Sequence, residues 1–365
     1  MSMTVTTHLS TINNTSAGCT STPSQLPIID ISPLYRRNIT DRKRIAEAIA
    51  EAAADVGFFY IVGHPVSQQQ IAGVYSQAER FFYQSLEVKN HYHIARSRNH
   101  RGYVPQSERG NYDDEQQRLY EAFDLALDLP SSRLNDTSGN CLVGPNVWPT
   151  LDGFRDEVYG YYRSVAAIGE TLCRAFEIHL RLAPGYFRQF MKQPLSQLRL
   201  IHYLENNCPT DTANMQMGAH TDYEALTILH QRSGGLQVMD REGNWLTAPP
   251  IEGAYAVNIG DMMEAWTNGL FVATPHRVVN TGAERFSMPY FAAADFDATI
   301  EPVPGTVSSS RPSAYPAFKA GHHLLGQLVR DFGYLKRRYD AGQLPLPAIP
   351  TVSSQFERRL SAKAA

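Results

Sequence analysis

Apolar positions first fall into a pattern at "LPIIDIS" (26–32), after an opening rich in Ser, Thr and Asn. Ile45, Ala48, Ile49, Ala52, Ala53 and Val56 then recur at helical intervals. That spacing predicts an amphipathic helix capped by Thr40 and stopped by Gly57. "FFYIVGH" (58–64) follows as an apolar run and predicts a buried strand. A second helix is expected from Ser67 to Leu86, with Ile71, Val74, Ala78, Phe81 and Phe82 on one face. Residues 87–150 are less regular, and "HRGYVPQSERGNY" (100–112) reads as a loop. The longest stripe is Phe154, Val158, Tyr161, Val165, Ile168, Leu172, Phe176 and Leu180. It predicts a helix from Leu151 to Leu182 capped by Thr150.

Beyond Pro184 the period changes. "QLRLIHYL", "ALTILHQ", "GLQVM", "WLTAPP", "AYAVNIG", "PHRVVN" and "RFSMPYFAA" are short β-rich runs parted by Gly, Asn, Asp or Pro. Such a series predicts a compact antiparallel barrel or jelly roll. A helix returns around 319–341, and no internal repeat is present. The expected organisation is an α+β chain with a mainly β core. Residues 1–25 form a disordered tail and 26–184 a mostly helical region supporting the core. Residues 185–318 form the β core, and 319–365 a C-terminal helix and tail.

Composition narrows the classes. The chain has 365 residues, 43% hydrophobic and 19% charged, enough for a sizeable core. A net charge of −3 without any long basic run gives no nucleic-acid or membrane footprint; "LKRR" (335–338) reads as a solvated helix face. No apolar run reaches the ~20 residues of a membrane span. Cys19, Cys141, Cys173 and Cys208 show no CxxC spacing and read as reduced thiols of a cytoplasmic protein. The opening residues lack Arg, Lys and an apolar stretch, so no secretory signal is expected. The expected partner is a small molecule, and the oligomeric state stays open, a monomer included.

The candidate chemistry begins in "GAHTDYEALTILH" (218–230), where His220 and Asp222 stand two apart at the mouth of a strand. On an extended segment such side chains share a face, about 6–7 Å apart along the chain. They suit two neighbouring positions on one metal. His276, at the start of "HRVVN" and after Pro275, is the best third ligand. Two His and one carboxylate make the facial triad of non-haem Fe(II) oxygenases, although a catalytic zinc accepts the same set. HxD alone recurs by chance. Further on, Arg285 and Ser287 in "ERFSMPYF" again share a strand face. Their fork and hydroxyl suit a carboxylate, and an inward Arg without an anion would be costly.

Together these segments resemble the isopenicillin N synthase-like family of Fe(II)- and 2-oxoglutarate-dependent dioxygenases. The likeness runs from Leu26 to about Tyr334 through "LPIIDIS", "GFFYIVGHPV", "RGYVP", "LRLIHY", "AHTDYEALTIL", "GGLQVM", "VNIGDMMEAWTNG", "TPHRVVN" and "RFSMPYF", in the family's order. It implies a double-stranded β-helix and the iron ligands His220, Asp222 and His276. It also implies Arg285 and Ser287 on the distal carboxylate of 2-oxoglutarate, with Tyr203 assisting. Many plant members have Asn where this chain has Ile201, which puts one secondary cosubstrate contact in question. The implied reaction consumes O2 and 2-oxoglutarate, releases succinate and CO2, and oxidises a small molecule such as an amino acid or specialised metabolite, most simply by hydroxylation. Asp222 argues against halogenation, because related halogenases lack that carboxylate.

Tyr103, Arg109, Phe123, Trp266, Phe291 and Phe296 lie on segments that border the pocket in relatives and are the expected substrate contacts. Arg101, like Arg109, reads as solvated loop charge. His230 reads as structural, His202 as facing away from Tyr203, and Asp261 as a turn former. Two other readings stay open: an oxidase, desaturase or cyclase of the same family that uses no 2-oxoglutarate, and a β-barrel binding protein with a vestigial metal site.

Overall fold

The computed structural model describes residues 26–106, 120–130, 141–206, 215–344 and 346–347. The expected tails and Arg109, Cys19 and Cys208 lie outside the described residues. Strand β1 (Ile28–Asp30) leads into helix α1 (Ile39–Asp55), which buries Ile45, Ala46, Ile49, Ala50, Ala52 and Ala53. Its cap is Asn38 and not Thr40: Asn38 Oδ1 accepts from the Thr40 and Asp41 amides at 3.0 and 3.4 Å. Strand β2 (Phe58–Val62) follows, then α2 (Gln68–Phe82), capped by Ser67 as expected. The helix ends at Phe82, and Leu86 opens a separate α3 (Leu86–His91). Helix α4 (Phe154–His179) starts from Gly153 at φ 80°, without the Thr150 cap.

The irregular region holds two strands that its pattern did not reveal. Strand β3 (Gly102–Val104) lies inside the expected loop, and β4 (Tyr120–Ala126) is buried at every position. Arg101 is buried and not solvated, because its guanidinium donates to the carbonyls of Asn99, His100 and Leu142 at 2.9, 2.9 and 2.7 Å.

All seven expected β runs form strands. They are β5 (Gln197–Tyr203), β7 (Leu226–Gln231), β8 (Leu236–Met239), β9 (Trp245–Thr247), β10 (Tyr255–Ile259), β11 (His276–Val279) and β12 (Arg285–Ala292). Strand β6 (Met215–His220) is an addition, so His220 ends one strand and Asp222 lies in the turn to β7. Helix α5 (Asp261–Trp266) begins at Asp261, expected as a turn. The C-terminal helix breaks at Phe332 into α6 (Ala320–Asp331) and α7 (Gly333–Asp340).

An eight-stranded sheet has the order β1-β2-β10-β7-β12-β5-β4-β3, and a four-stranded sheet the order β6-β11-β8-β9. The first four strands thus build both edges of the large sheet, so the N-terminal region is part of the β framework as well as its helical support. The two-residue period of a strand divides that sheet into two faces. Leu226, Ile228, Met288, Tyr290, Leu198 and Leu200 enter the main apolar core, where Gly169 of α4 lies 3.7–3.8 Å from Ala292, Tyr290 and Ile228 when given a Cβ. Their neighbours Thr227, Gln231, Arg285, Ser287, Arg199 and Tyr203 line a cavity between the two sheets. Among the described residues no helix is long and apolar enough to cross a membrane.

Candidate metal centre and cosubstrate site

His276 pairs directly across from His220 in the β6–β11 ladder, which places their ring centroids 4.3 Å apart. Asp222 Oδ1 lies 3.7 Å from His220 Nε2 and 3.5 Å from His276 Nε2. One ligand atom from each of the three falls within 4.8 Å of the others. The Nδ1 side of each ring is already engaged. His220 Nδ1 faces the Gly218 carbonyl at 2.8 Å and His276 Nδ1 the Thr274 carbonyl at 3.2 Å. Donation to those carbonyls puts the proton on Nδ1 and leaves Nε2 as the lone-pair donor a metal requires.

Asp222 is prepared in the same way. Its Oδ2 accepts from Asn258 Nδ2 at 2.7 Å and from the Thr227 hydroxyl, so Oδ1 remains for a metal. Burial opposes ionisation of this carboxyl, but His276, His220 and the two hydrogen bonds outweigh it and hold it below the ordinary range. Burial pushes His276 down to about 4, favouring the neutral ligand form. The turn itself is pinned by α5: the Asp261 and Met262 amides donate to the carbonyls of Asp222 and Glu224 at 2.9 and 3.1 Å. A Cβ on Gly260 would stand 2.3 Å from the Glu224 oxygen and 3.0 Å from that of Asp222, so glycine is required by close approach.

The second cluster sits on β12 and β5. Arg285 is opposite Tyr203 in the ladder, and its guanidinium stacks 3.6 Å from the centre of the Tyr203 ring. Its Nε donates to Gln216 Oε1 at 2.9 Å and Nη1 to the Gly234 carbonyl at 3.2 Å, while buried Nη2 makes no hydrogen bond among the described residues. Arg285 has no carboxylate partner there. Ser287 shares its strand face and lines the same cavity. Burial raises the Tyr203 hydroxyl pKa, with Arg285 opposing the rise. A buried guanidinium with an open donor and an unmatched charge fits a carboxylate. The donor sets therefore fit both a divalent metal and a 2-oxo dicarboxylate.

Residues 26–151 match the family described as non-haem dioxygenase in morphine synthesis N-terminal, and residues 195–294 match the 2OG-Fe(II) oxygenase superfamily. The 2-oxoglutarate-Fe(II) type oxidoreductase ppzC of Metarhizium rileyi is 35% identical over 74% of this chain and 77% of its own length. The chain belongs to the 2OG-Fe(II) oxygenase superfamily. Homoarginine-6-hydroxylase 2-ODD-C23 of Glycine max is 31% identical, covering 85% of this chain and 98% of that protein. The crystal structure of Neurospora crassa T7H in complex with alpha-KG and thymine superposes with a TM-score of 0.71 at 25% identity, over 87% of this chain and 97% of that one. The cofactors of this oxygenase are Fe(II) and 2-oxoglutarate, and its fold is the double-stranded β-helix of the superfamily.

Of the expected substrate contacts in this oxygenase, Phe291 lines the cavity. Tyr103, Phe123, Trp266 and Phe296 do not. The Tyr103 hydroxyl donates to Glu121, and Phe123 packs against Phe81 and Phe154 at 4.9 and 5.4 Å. Trp266 packs on Phe187 at 5.2 Å, and Phe296 lies beneath Gly321 of α6. These large rings complete the apolar core where the helices meet the sheet. His202 faces away from the cavity, bound to Glu121 and Glu284 at 2.9 and 2.7 Å. His230 is structural, its Nδ1 2.9 Å from the Tyr75 hydroxyl. Ile201 lines the cavity opposite Ser287, an apolar wall in place of an amide.

Sequence reasoning missed Thr227, Asn258 and Gln216, whose roles depend on cross-strand register. It also missed Arg199, Glu224 and Asp331 on the cavity wall. Arg199 stands in "LRLIHY", where an inward charge on a β run was the available signal; Glu224 precedes β7 and Asp331 ends α6, so neither carried that signal.

Proposed function

We propose that the chain hydroxylates a small organic molecule in this cavity, coupling the oxidation to conversion of 2-oxoglutarate into succinate and CO2. His220, Asp222 and His276 hold Fe(II) through two Nε2 atoms and Oδ1. Arg285 and Ser287 receive the distal carboxylate of 2-oxoglutarate, and Tyr203 keeps the guanidinium flat against its ring. When bound, the iron supplies the oxidising power that side chains lack, by activating O2 against 2-oxoglutarate and then the substrate C–H bond. The carrying observation is the conjunction, in one cavity, of an open three-ligand face and a buried arginine that has no anion among the described residues.

The protein's own part is orientation. Asn258 and Thr227 fix which oxygen of Asp222 faces inward, and the Gly218 and Thr274 carbonyls fix both imidazoles. Gln216 and Gly234 aim Arg285. Such prior placement lowers the reorganisation left for the reaction. Phe291, Leu229 and Leu236 add apolar wall that limits water around the reacting centre.

The test is succinate release by purified protein with Fe(II), O2 and 2-oxoglutarate, alone and with candidate small molecules. Iron-dependent succinate is expected, and His220→Ala should reduce it to background while circular dichroism stays native. Equal succinate from wild type and variant, or none from either, would sink the assignment.

A further inference from the structure

The cavity holds two arginines on neighbouring strands, and their partners differ. Arg285 has no carboxylate among the described residues. Arg199 lies directly opposite Asp124 across β5 and β4, and Nε and Nη2 donate to Asp124 Oδ1 and Oδ2 at 2.7 and 2.8 Å. The Asp124 side chain is fully buried, and that of Arg199 retains 15% exposure. One edge of the guanidinium is thus spent. Nη1 makes no hydrogen bond among the described residues, on a residue that lines the cavity.

We infer that Arg199 recognises the substrate of this oxygenase by donating from Nη1 to an uncharged carbonyl oxygen, as in an amide, lactam or imide. This rests on the cavity being the oxygenase site argued above. The choice of a neutral acceptor follows from charge. Asp124 already balances Arg199, so the fork offers direction without net positive charge. Asp331 also lines the cavity, and a carboxylate substrate would meet it unfavourably. A guanidinium carries donors only, so a cationic group, itself a donor, finds no acceptor at Nη1. Asp124 acts as a positioning residue: it fixes the plane of the fork and thereby the direction of Nη1. Phe332, whose ring centre lies 5.9 Å from the guanidinium carbon, closes a further side.

The experiment compares three classes of probe on the Fe(II)-loaded full chain. Thymine, δ-valerolactam and benzamide carry neutral carbonyls, indole-3-acetate a carboxylate, and homoarginine a cationic side chain. Binding is read calorimetrically with 2-oxoglutarate and without O2, and turnover by stimulated succinate release. At least one neutral carbonyl probe should bind and stimulate more strongly than indole-3-acetate or homoarginine. Arg199→Lys should weaken that probe about tenfold or more, the loss of roughly one directed hydrogen bond. Asp124→Asn, where its melting transition stays cooperative, should shift preference towards indole-3-acetate by exposing the arginine charge. The inference is overturned by preference for the carboxylate or the cation, by unchanged binding in Arg199→Lys, or by succinate release that no carbonyl probe stimulates. Absence of iron-dependent succinate under every condition would instead remove the oxygenase reading on which it rests.

Discussion

Two clusters in the cavity are built to opposite rules of charge. In the one proposed for metal and cosubstrate, groups are fixed but left open: Asp222 keeps Oδ1 free of the Asn258 and Thr227 bonds, and Arg285 keeps an unmatched charge and Nη2. In the other, Arg199 is closed by Asp124 on its neighbouring strand. An open buried charge is costly unless a ligand arrives to meet it, so the first cluster suits ions. A compensated pair carries less of that penalty and can discriminate through direction. On the proposed reading, one fold separates the binding of charged cofactors from the recognition of substrate.

The largest expected break in this contrast is Arg285→Ala. Removing a buried charge-assisted fork should weaken 2-oxoglutarate on the order of 100-fold, read as KM for 2-oxoglutarate or calorimetric Kd, while the metal remains bound. Unchanged affinity would mean that Arg285 does not receive the cosubstrate. Asn258→Ala frees one hydrogen bond on Asp222 without touching the metal face. Metal affinity should fall roughly 10-fold to 100-fold, as for other residues that orient ligands, and competition with a chelator measures it.

The smallest effect concerns the helix-facing side of the same sheet. Burial lowers the pKa of His230 to about 4. A native imidazole that resists protonation loses stability as pH falls below its unfolded value near 6.5 and towards 4. At pH 5 the loss is roughly 2 kcal/mol from this residue alone. His230→Gln should flatten the decline of Tm between pH 7 and 5 without changing metal affinity at neutral pH. An equally steep decline in the variant would assign the acid sensitivity elsewhere.

What could be read in advance followed from period and spacing. His220, Asp222, His276, Arg285 and Ser287 stand out because they interrupt apolar β runs at intervals of two or begin a strand. The seven β segments were visible for the same reason. Strand β4 was not, because "YEAFDLA" is buried at all positions yet carries Glu121 and Asp124. Its charges are met by Lys89, His202 and Arg199, residues distant in sequence. Asn258 and Thr227 were hidden likewise, since only the pairing of β10 with β7 brings them to Asp222. Tyr103, Phe123, Trp266 and Phe296 show the converse. A large ring near a pocket segment is indistinguishable in sequence from one that fills the core behind it.

The central claim is that the open cluster of Asp222, its two histidines and Arg285 takes Fe(II) and 2-oxoglutarate together. Calorimetric titration of 2-oxoglutarate into the protein without O2, with and without Fe(II), tests it most directly. Saturation at one 2-oxoglutarate per chain, with affinity strongly increased by iron, is the predicted result. Binding of equal strength with and without iron, or none in either case, would contradict it.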